Sequence, residues 1–276
     1  MGFWQSDGGN EYRFSERQKA GQMLTTWEDV LLVILVVACS LLFKTVVDRC
    51  WTREHRKTHN DLIGWQLSIL GTTYAVIVGF MLYTVWTNFG LAEVNADSEA
   101  NAVVNVYRLA DGLPASQRDE LKQAARGYAD VVLDQDWPQM ARGDQGTLAS
   151  HDSDRKMWQI LMSVKAASPT EITAEDHALY ELSSVAEHRR LRQLQSISRL
   201  PGVLWFVLVC GGALTIMSSC MFGSESSWLH GLQVFAFALL LALALVAIAD
   251  IDRPYQGSVH VANTAFKRAQ MNMAEQ

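Results

Sequence analysis

The sequence predicts an all-α integral membrane protein: four transmembrane helices, with a helical extramembrane domain between the second and the third. Three observations predict it. Apolar residues make up 49% of the 276 and charged residues 19%. The apolar residues gather into four blocks, each close to the ~20 residues that cross ~30 Å of hydrocarbon as a helix. Trp27, Trp51, Trp65, Trp86, Trp205 and Trp228 stand near the block ends, as an interfacial aromatic belt would.

The first block covers residues 30–43, extended by Val46 and Val47, with Lys44 and Asp48 at its far rim. The second covers 62–86, the third 203–222 and the fourth 229–251; none of these three holds an Asp, Glu, Lys or Arg before its last two residues. Residues 1–28 are polar and lack the basic–apolar–small layout of a signal peptide. The chain thus divides into a polar segment (1–28), spans one and two (29–92), a helical domain (93–200), spans three and four (201–252) and a C-terminal segment (253–276).

Composition also excludes. A net charge of −6 rules out a generally basic, nucleic-acid-coating surface. Cys39, Cys210 and Cys220 lie inside apolar blocks and Cys50 just outside one, which is no disulfide framework. Cys50, His55 and His59 are spaced by five and four with no fourth ligand, so no metal is expected. There is no nucleophile elbow, P-loop, dinucleotide fingerprint or His-Glu-x-x-His helix, and neither an enzyme nor a bound cofactor is expected.

Four spans put both termini and the middle domain on one side of the membrane. The loop between the first two spans is dense in positive charge (Arg49, Arg53, Arg56, Lys57). The other side has more in total, including Arg13, Arg17, Lys19, Arg189, Arg190 and Arg192. The positive-inside rule then favours cytoplasmic termini only weakly.

The middle domain reads as helix throughout. The second span continues past Glu93 without Pro or Gly, carrying Ala96, Ala100, Val103, Tyr107 and Ala110 at steps of three and four before Leu113-Pro114. A second helix, from Ser116 to Trp137-Pro138, puts Leu121, Ala125, Tyr128 and Val132 on one face. Asp152 or Ser153 is expected to cap a third helix with Trp158, Leu161 and Met162. Thr173 and Asp176 are expected to cap a fourth, running to Leu200-Pro201.

Candidate chemistry concentrates on the second span. Gly64, Ser68, Gly71, Ala75 and Gly79 form one stripe at 100° per residue, and small residues at that spacing let helices approach closely in lipid. Gln66, Thr73, Ile77, Phe80, Thr84 and Asn88 form a second. Uncharged polar groups in hydrocarbon need partners or water. One solution is a pore, with Ile77 and Phe80 as an apolar constriction that gates by dewetting. The other is a helix packed within its own bundle, its hydroxyls bonded back to carbonyls. Before this span, Asn60 or Asp61 is expected to cap the helix. Glu93, Asp97 and Glu99 past the second span, and Asp250 and Asp252 past the fourth, could cluster as an ion vestibule. The alternatives are a solvated face or pairing with Arg189, Arg190 and Arg192. Acidic residues at this end favour cations; Arg56 and Lys57 at the other favour anions.

The order of motifs resembles the bestrophin-like family of bacterial membrane proteins, a domain family of unknown function. The resemblance rests on His59-Asn60-Asp61, on Gly71-x-x-Tyr74-Ala75-Val76-x-x-Gly79-Phe80, and on Trp86 and Glu99-Ala100. It continues through Tyr107-Arg108-Leu109, Leu113-Pro114, Trp137-Pro138, Leu200-Pro201, Leu204-Trp205 and Asp252-Arg253-Pro254-Tyr255-x-Gly257. It covers about residues 27–267. True bestrophins, to which this family is distantly similar, are pentameric ion channels with cytosolic termini and a pore lined by the second span. The resemblance therefore implies a homo-oligomeric ion channel in a bacterial cytoplasmic membrane, with Phe80 and Ile77 in the role of the neck. Its partners would be the lipid bilayer, further copies of itself and inorganic ions. Two departures stand out: no acidic run follows Asp252, against calcium activation, and the middle domain is shorter than in the true channels. A non-conducting membrane scaffold or sensor, whose helical domain binds a partner, is the other reading. A transporter would call for discontinuous helices or an inverted repeat, and neither is legible.

Overall fold

The structure, a computed structural model, describes residues 8–144 and 146–275, with side chains described from Trp27 onward. Expectations resting on Trp4, Arg13, Arg17 and Lys19 lie outside those described side chains. All regular structure among the described residues is helical. Four helices are long and apolar enough to span a membrane: Trp27–Cys50, Asn60–Gly112, Gly202–Cys220 and Ser227–Ile251. At most 28% of the apolar stretch of any of them is buried within the subunit, so its outward surface needs a hydrocarbon solvent. The chain is a multi-pass membrane protein.

Two compact units divide it. The first holds the chain up to Val85 together with Leu200–Asp252. It contains α1 (Gly8–Cys50), the short α2 (Arg53–Lys57), the first part of α3 (Asn60–Leu109), α8 (Gly202–Cys220) and α9 (Ser227–Ile251). Helix α1 packs on α8 and α9, which also pack on each other. Val85, Leu208 and Ile248 form a buried knot from α3, α8 and α9. Tyr74 of α3 lies close against α8: a Cβ at Gly211 would come within 2.7 Å of its ring. The Tyr74 hydroxyl donates to the Leu208 carbonyl at 2.9 Å. Only glycine at 211 and 212 leaves room for that ring.

The loop end of this unit is tied by polar groups. Lys44 lies 3.0 Å from Asp48 and donates to the Ser227 carbonyl at 3.1 Å, and Arg56 closes on the same Asp48. Asn60 does not cap α3 with its side chain. Its amide instead exchanges two 2.8 Å hydrogen bonds with the backbone of Gly223, in the loop before α9. A Cβ at Gly223 would come within 2.7 Å of the Lys57 backbone nitrogen, so this approach too requires glycine.

The second unit holds Trp86–Arg199 and the segment from Arg253 onward. It contains the rest of α3, a 3-10 turn (Ala110–Gly112), α4 (Ala115–Val131), a π-helical turn (Val132–Asp136), α5 (Trp137–Ala141), α6 (Ser150–Met162), α7 (Pro169–Ile197) and α10 (Thr264–Ala274). The apolar stripe of α3 is buried at Ala96, Ala100, Val103 and Tyr107 and continues to Ala110 in the 3-10 turn; Leu121, Ala125, Tyr128 and Val132 are buried too. The C-terminal segment, read from sequence as a separate stretch, packs into this unit: α10 lies on α4, and Tyr255 stacks edge-on against Trp137 at 5.6 Å. Gly257 takes φ +78° just after, a backbone that favours glycine.

Four local expectations are corrected. Trp137-Pro138 does not stop the second helix. The π-helical turn widens the backbone just before it, where proline's missing N–H and bulky ring would break an α-helical ladder, and the helix restarts with Pro138 in its first turn. Helix α6 starts at Ser150 without a side-chain cap, not at Asp152 or Ser153. Its buried face runs through Asp154, Met157, Ile160 and Leu161, leaving Met162 exposed. Helix α7 is capped by Ser168 and Glu171 in a capping box with Pro169 at its first position; the Thr173 hydroxyl bonds back to the Pro169 carbonyl instead.

Candidate functional site

Two features of the chain carry chemistry. The first is the membrane part of α3. It turns Ile63, Tyr74 and Val85 inward, against the subunit's own helices. Gln66, Thr73, Phe80 and Thr84 are exposed at the subunit surface, and Ile77 is half-buried beside them. Phe80 is 65% exposed, about as much as Tyr83 beside it and Phe206 on the third span. The Thr84 hydroxyl bonds back to the Phe80 carbonyl at 2.8 Å. The Gln66 and Thr73 side chains have no hydrogen-bond partner among the described residues. Asn88, in the second unit's part of the helix, is exposed as well.

The small-residue stripe makes little contact inside the subunit. A Cβ at Gly64 would meet Phe222 at 3.6 Å, whereas one at Gly71 or Gly79 would meet nothing within 4 Å. Ser68 and Ala75 are exposed. A tight contact between spans lies instead on the third, at Gly211-Gly212. Sequence reasoning passed over it, although a glycine pair in the middle of an apolar block was a usable signal.

The second feature is an ionic centre in the helical unit. Arg192 of α7 is fully buried, with Nε 2.7 Å from one Glu99 oxygen and Nη2 2.9 Å from the other. Nη2 also lies 3.0 Å from Asp136. The Tyr128 hydroxyl donates to Glu99 at 2.6 Å, and the Ser150 backbone N–H donates to Asp136 at 3.2 Å. The guanidinium lies 5.8 Å from the Trp137 ring and 5.9 Å from the Phe266 ring. Burial and the adjacent Glu99 charge push the Tyr128 phenol well above its usual range, so it stays a donor. Burial disfavours a charged guanidinium, but Glu99, Tyr128 and Asp136 outweigh it and hold Arg192 firmly protonated. Beside this centre Arg189 lies 3.1 Å from Asp154, whose carboxyl is raised by burial against the pull of Arg189.

The candidate vestibule carboxylates fall into different settings. Glu93 and Asp97 are exposed, while Glu99 is wholly consumed by Arg192 and Tyr128. Asp252 accepts from the Leu200 N–H at 3.0 Å. Asp250 is half-buried and has its own partner. At the loop end, Arg56 shares Asp48 with Lys44, and Lys57 lies 3.0 Å from Glu225. His59 stacks obliquely near Trp51 at 6.3 Å, and Asp61 supplies negative charge to the first turn of α3. Among the described residues no three His, Cys, Asp or Glu side chains converge as a metal-holding group.

Four membrane helices, the second prolonged into a water-exposed helical unit, define a class of membrane protein built like the bestrophins. A family model described as the bestrophin-like domain matches residues 34–266, and the chain belongs to that family. Crystal structures of a bacterial bestrophin homologue from Klebsiella pneumoniae share the fold. One, of a single-substitution variant, superposes with a TM-score of 0.68 at 10% identity, over 88% of this chain and 98% of that one. Another, solved by zinc anomalous phasing, gives 0.66 at 11% identity, over 88% and 97%. No curated protein sequence matches this one.

Proposed function

We propose that the chain is one subunit of a homo-oligomeric, bestrophin-type ion channel whose pore is lined by α3. The observation that carries this reading is the exposed row of Gln66, Thr73, Phe80 and Thr84 on a membrane helix. Unpaired amide and hydroxyl groups facing lipid are costly. Facing water around a symmetry axis, they cost nothing and can replace part of an ion's hydration shell. From Gln66 to Thr84 the row rises ~27 Å at ~1.5 Å per residue, about the hydrocarbon thickness. Phe80, with the half-buried Ile77 nearly one turn before it, supplies the apolar neck that gates by dewetting. Family membership supports the same assignment, with a pentamer as the favoured assembly.

In this reading the Gly64, Ser68, Gly71, Ala75 and Gly79 stripe lets α3 approach its surroundings closely. The termini and the helical unit lie in the cytoplasm of a bacterial cell, beneath its inner membrane. The exposed carboxylates of Glu93 and Asp97 favour cations, and the contacts of Arg56 with Asp48 and of Lys57 with Glu225 reduce the opposing anion preference. Conduction is passive, and no catalytic step is involved.

Cysteine accessibility tests the pore face. With Cys39, Cys50, Cys210 and Cys220 replaced, Thr73→Cys and Thr84→Cys should react with a hydrophilic thiol reagent in the membrane, whereas Ala75→Cys should not. Equal protection of all three positions would favour the non-conducting scaffold.

A further inference from the structure

A cavity of about 410 Å³ lies within the membrane unit, between α3, α8 and α9. Leu67 and Gly71 of α3, Phe222, and Phe237 of α9 form its apolar walls; Ser219, His230 and Gln233 supply its polar groups. At residue 71 the wall carries no side chain, and a Cβ there would meet nothing within 4 Å, so the space is open on that side. His230 is buried, its Nε2 3.0 Å from the Ser219 carbonyl, so that ring is held in place. The Ser219 hydroxyl and the Gln233 amide have no partner among the described residues. Gln233 lies ~7 Å along α9 from Trp228, which is 77% exposed and marks the interface. That is the depth at which acyl chains meet their ester groups.

We infer that this cavity seats one acyl chain of a glycerophospholipid from the leaflet on the loop side, with the ester carbonyl accepting from Gln233 and Ser219. The walls match a hydrocarbon chain, and the two free donors match an ester, which only accepts hydrogen bonds. A volume of this size is ordinary for a ligand pocket, typically ~300–1,000 Å³. Gly71 lies on the side of α3 turned well away from Thr73 and Phe80. The occupant is thus drawn from the bilayer rather than from a pore, and the inference stands whether or not the protein conducts. A lipid so placed wedges the second span against the fourth and makes their packing depend on the membrane's composition.

The test is native mass spectrometry of the full-length protein, delipidated and then given palmitoyl-oleoyl phosphatidylglycerol. Wild type should retain lipid on each subunit. Gly71→Leu fills the cavity and should abolish that retention. Gln233→Leu, at an exposed position that threatens no packing, should weaken it about tenfold. Equal retention by wild type and both variants would overturn the inference, leaving only lipid at the annulus. Disulfide trapping of Gln233→Cys to a second copy would also overturn it, by making a neighbouring subunit the occupant.

Discussion

Arg192 and Glu99, 93 residues apart in sequence, meet in a two-pronged ion pair at 2.7 and 2.9 Å with no solvent exposure on either side chain. Glu99 stands on the same continuous helix as Phe80, and Arg192 on α7. The pair therefore pins the extramembrane stretch of α3 to the helical unit. Asp136 reaches the same guanidinium from a π-helical turn, a distortion that aims a carboxylate where a regular helix would not.

The centre holds two carboxylates and one guanidinium, and its members are not equivalent. Glu99→Gln leaves Arg192 matched by Asp136, one charge against one. Arg192→Met strands two buried carboxylates. Breaking a buried pair by removing one partner costs ~3–5 kcal/mol. Arg192→Met should cost at least that, and Glu99→Gln clearly less. Thermal melts of the full-length protein in detergent, followed by tryptophan fluorescence, should rank the variants in that order.

The Tyr74 contact predicts a second pair of effects. Tyr74→Phe removes the hydroxyl that donates to Leu208 and should cost ~1 kcal/mol, as interhelical hydrogen bonds in membranes do. Gly211→Ala puts a methyl group within 2.7 Å of the ring and should cost more, although it adds only one carbon. Refolding yield or apparent melting temperature in bicelles would check both.

Acid should release the start of α7. Hydrogen bonds from the Ala167 and Ser168 N–H groups hold the Glu171 carboxyl below the usual 4.5. A carboxyl lowered in the folded state contributes stability above its unfolded value, and that contribution fades as pH falls through the folded value. Protection of the Ala167 and Ser168 amides, relative to their intrinsic exchange at each pH, should therefore fall below about pH 4.5 in wild type. Glu171→Gln should remove that pH dependence, while Ser168→Ala should cost ~1 kcal/mol of cap stability at any pH.

Much of this fold was legible because a bilayer simplifies the code. Twenty apolar residues in a row have few other destinations, and the step of three and four through Ala96, Ala100, Val103, Tyr107 and Ala110 marks a buried face directly. The helix starts were harder. Ser168 with Glu171 obeys the same capping rule as the Thr173–Asp176 spacing, and Pro169 was the signal that should have decided between them. The ionic centre was visible only as one alternative for a row of arginines. Arg189, Arg190 and Arg192 look alike in sequence, and only the packing of α7 buries Arg192 and leaves Arg190 exposed. The cavity beside Gly71 could not be read at all, since its walls come from three helices and its key residue is an absence of side chain.

The central claim is that ions cross along α3 past Phe80, and current through a planar bilayer containing the purified protein tests it most directly. Under a salt gradient, discrete openings should appear, with a reversal potential displaced towards the cation's equilibrium value. Phe80→Ala should widen the neck and raise the open probability or the unit conductance. Silence across pH, voltage and calcium, or openings that Phe80→Ala leaves unchanged, would contradict the account.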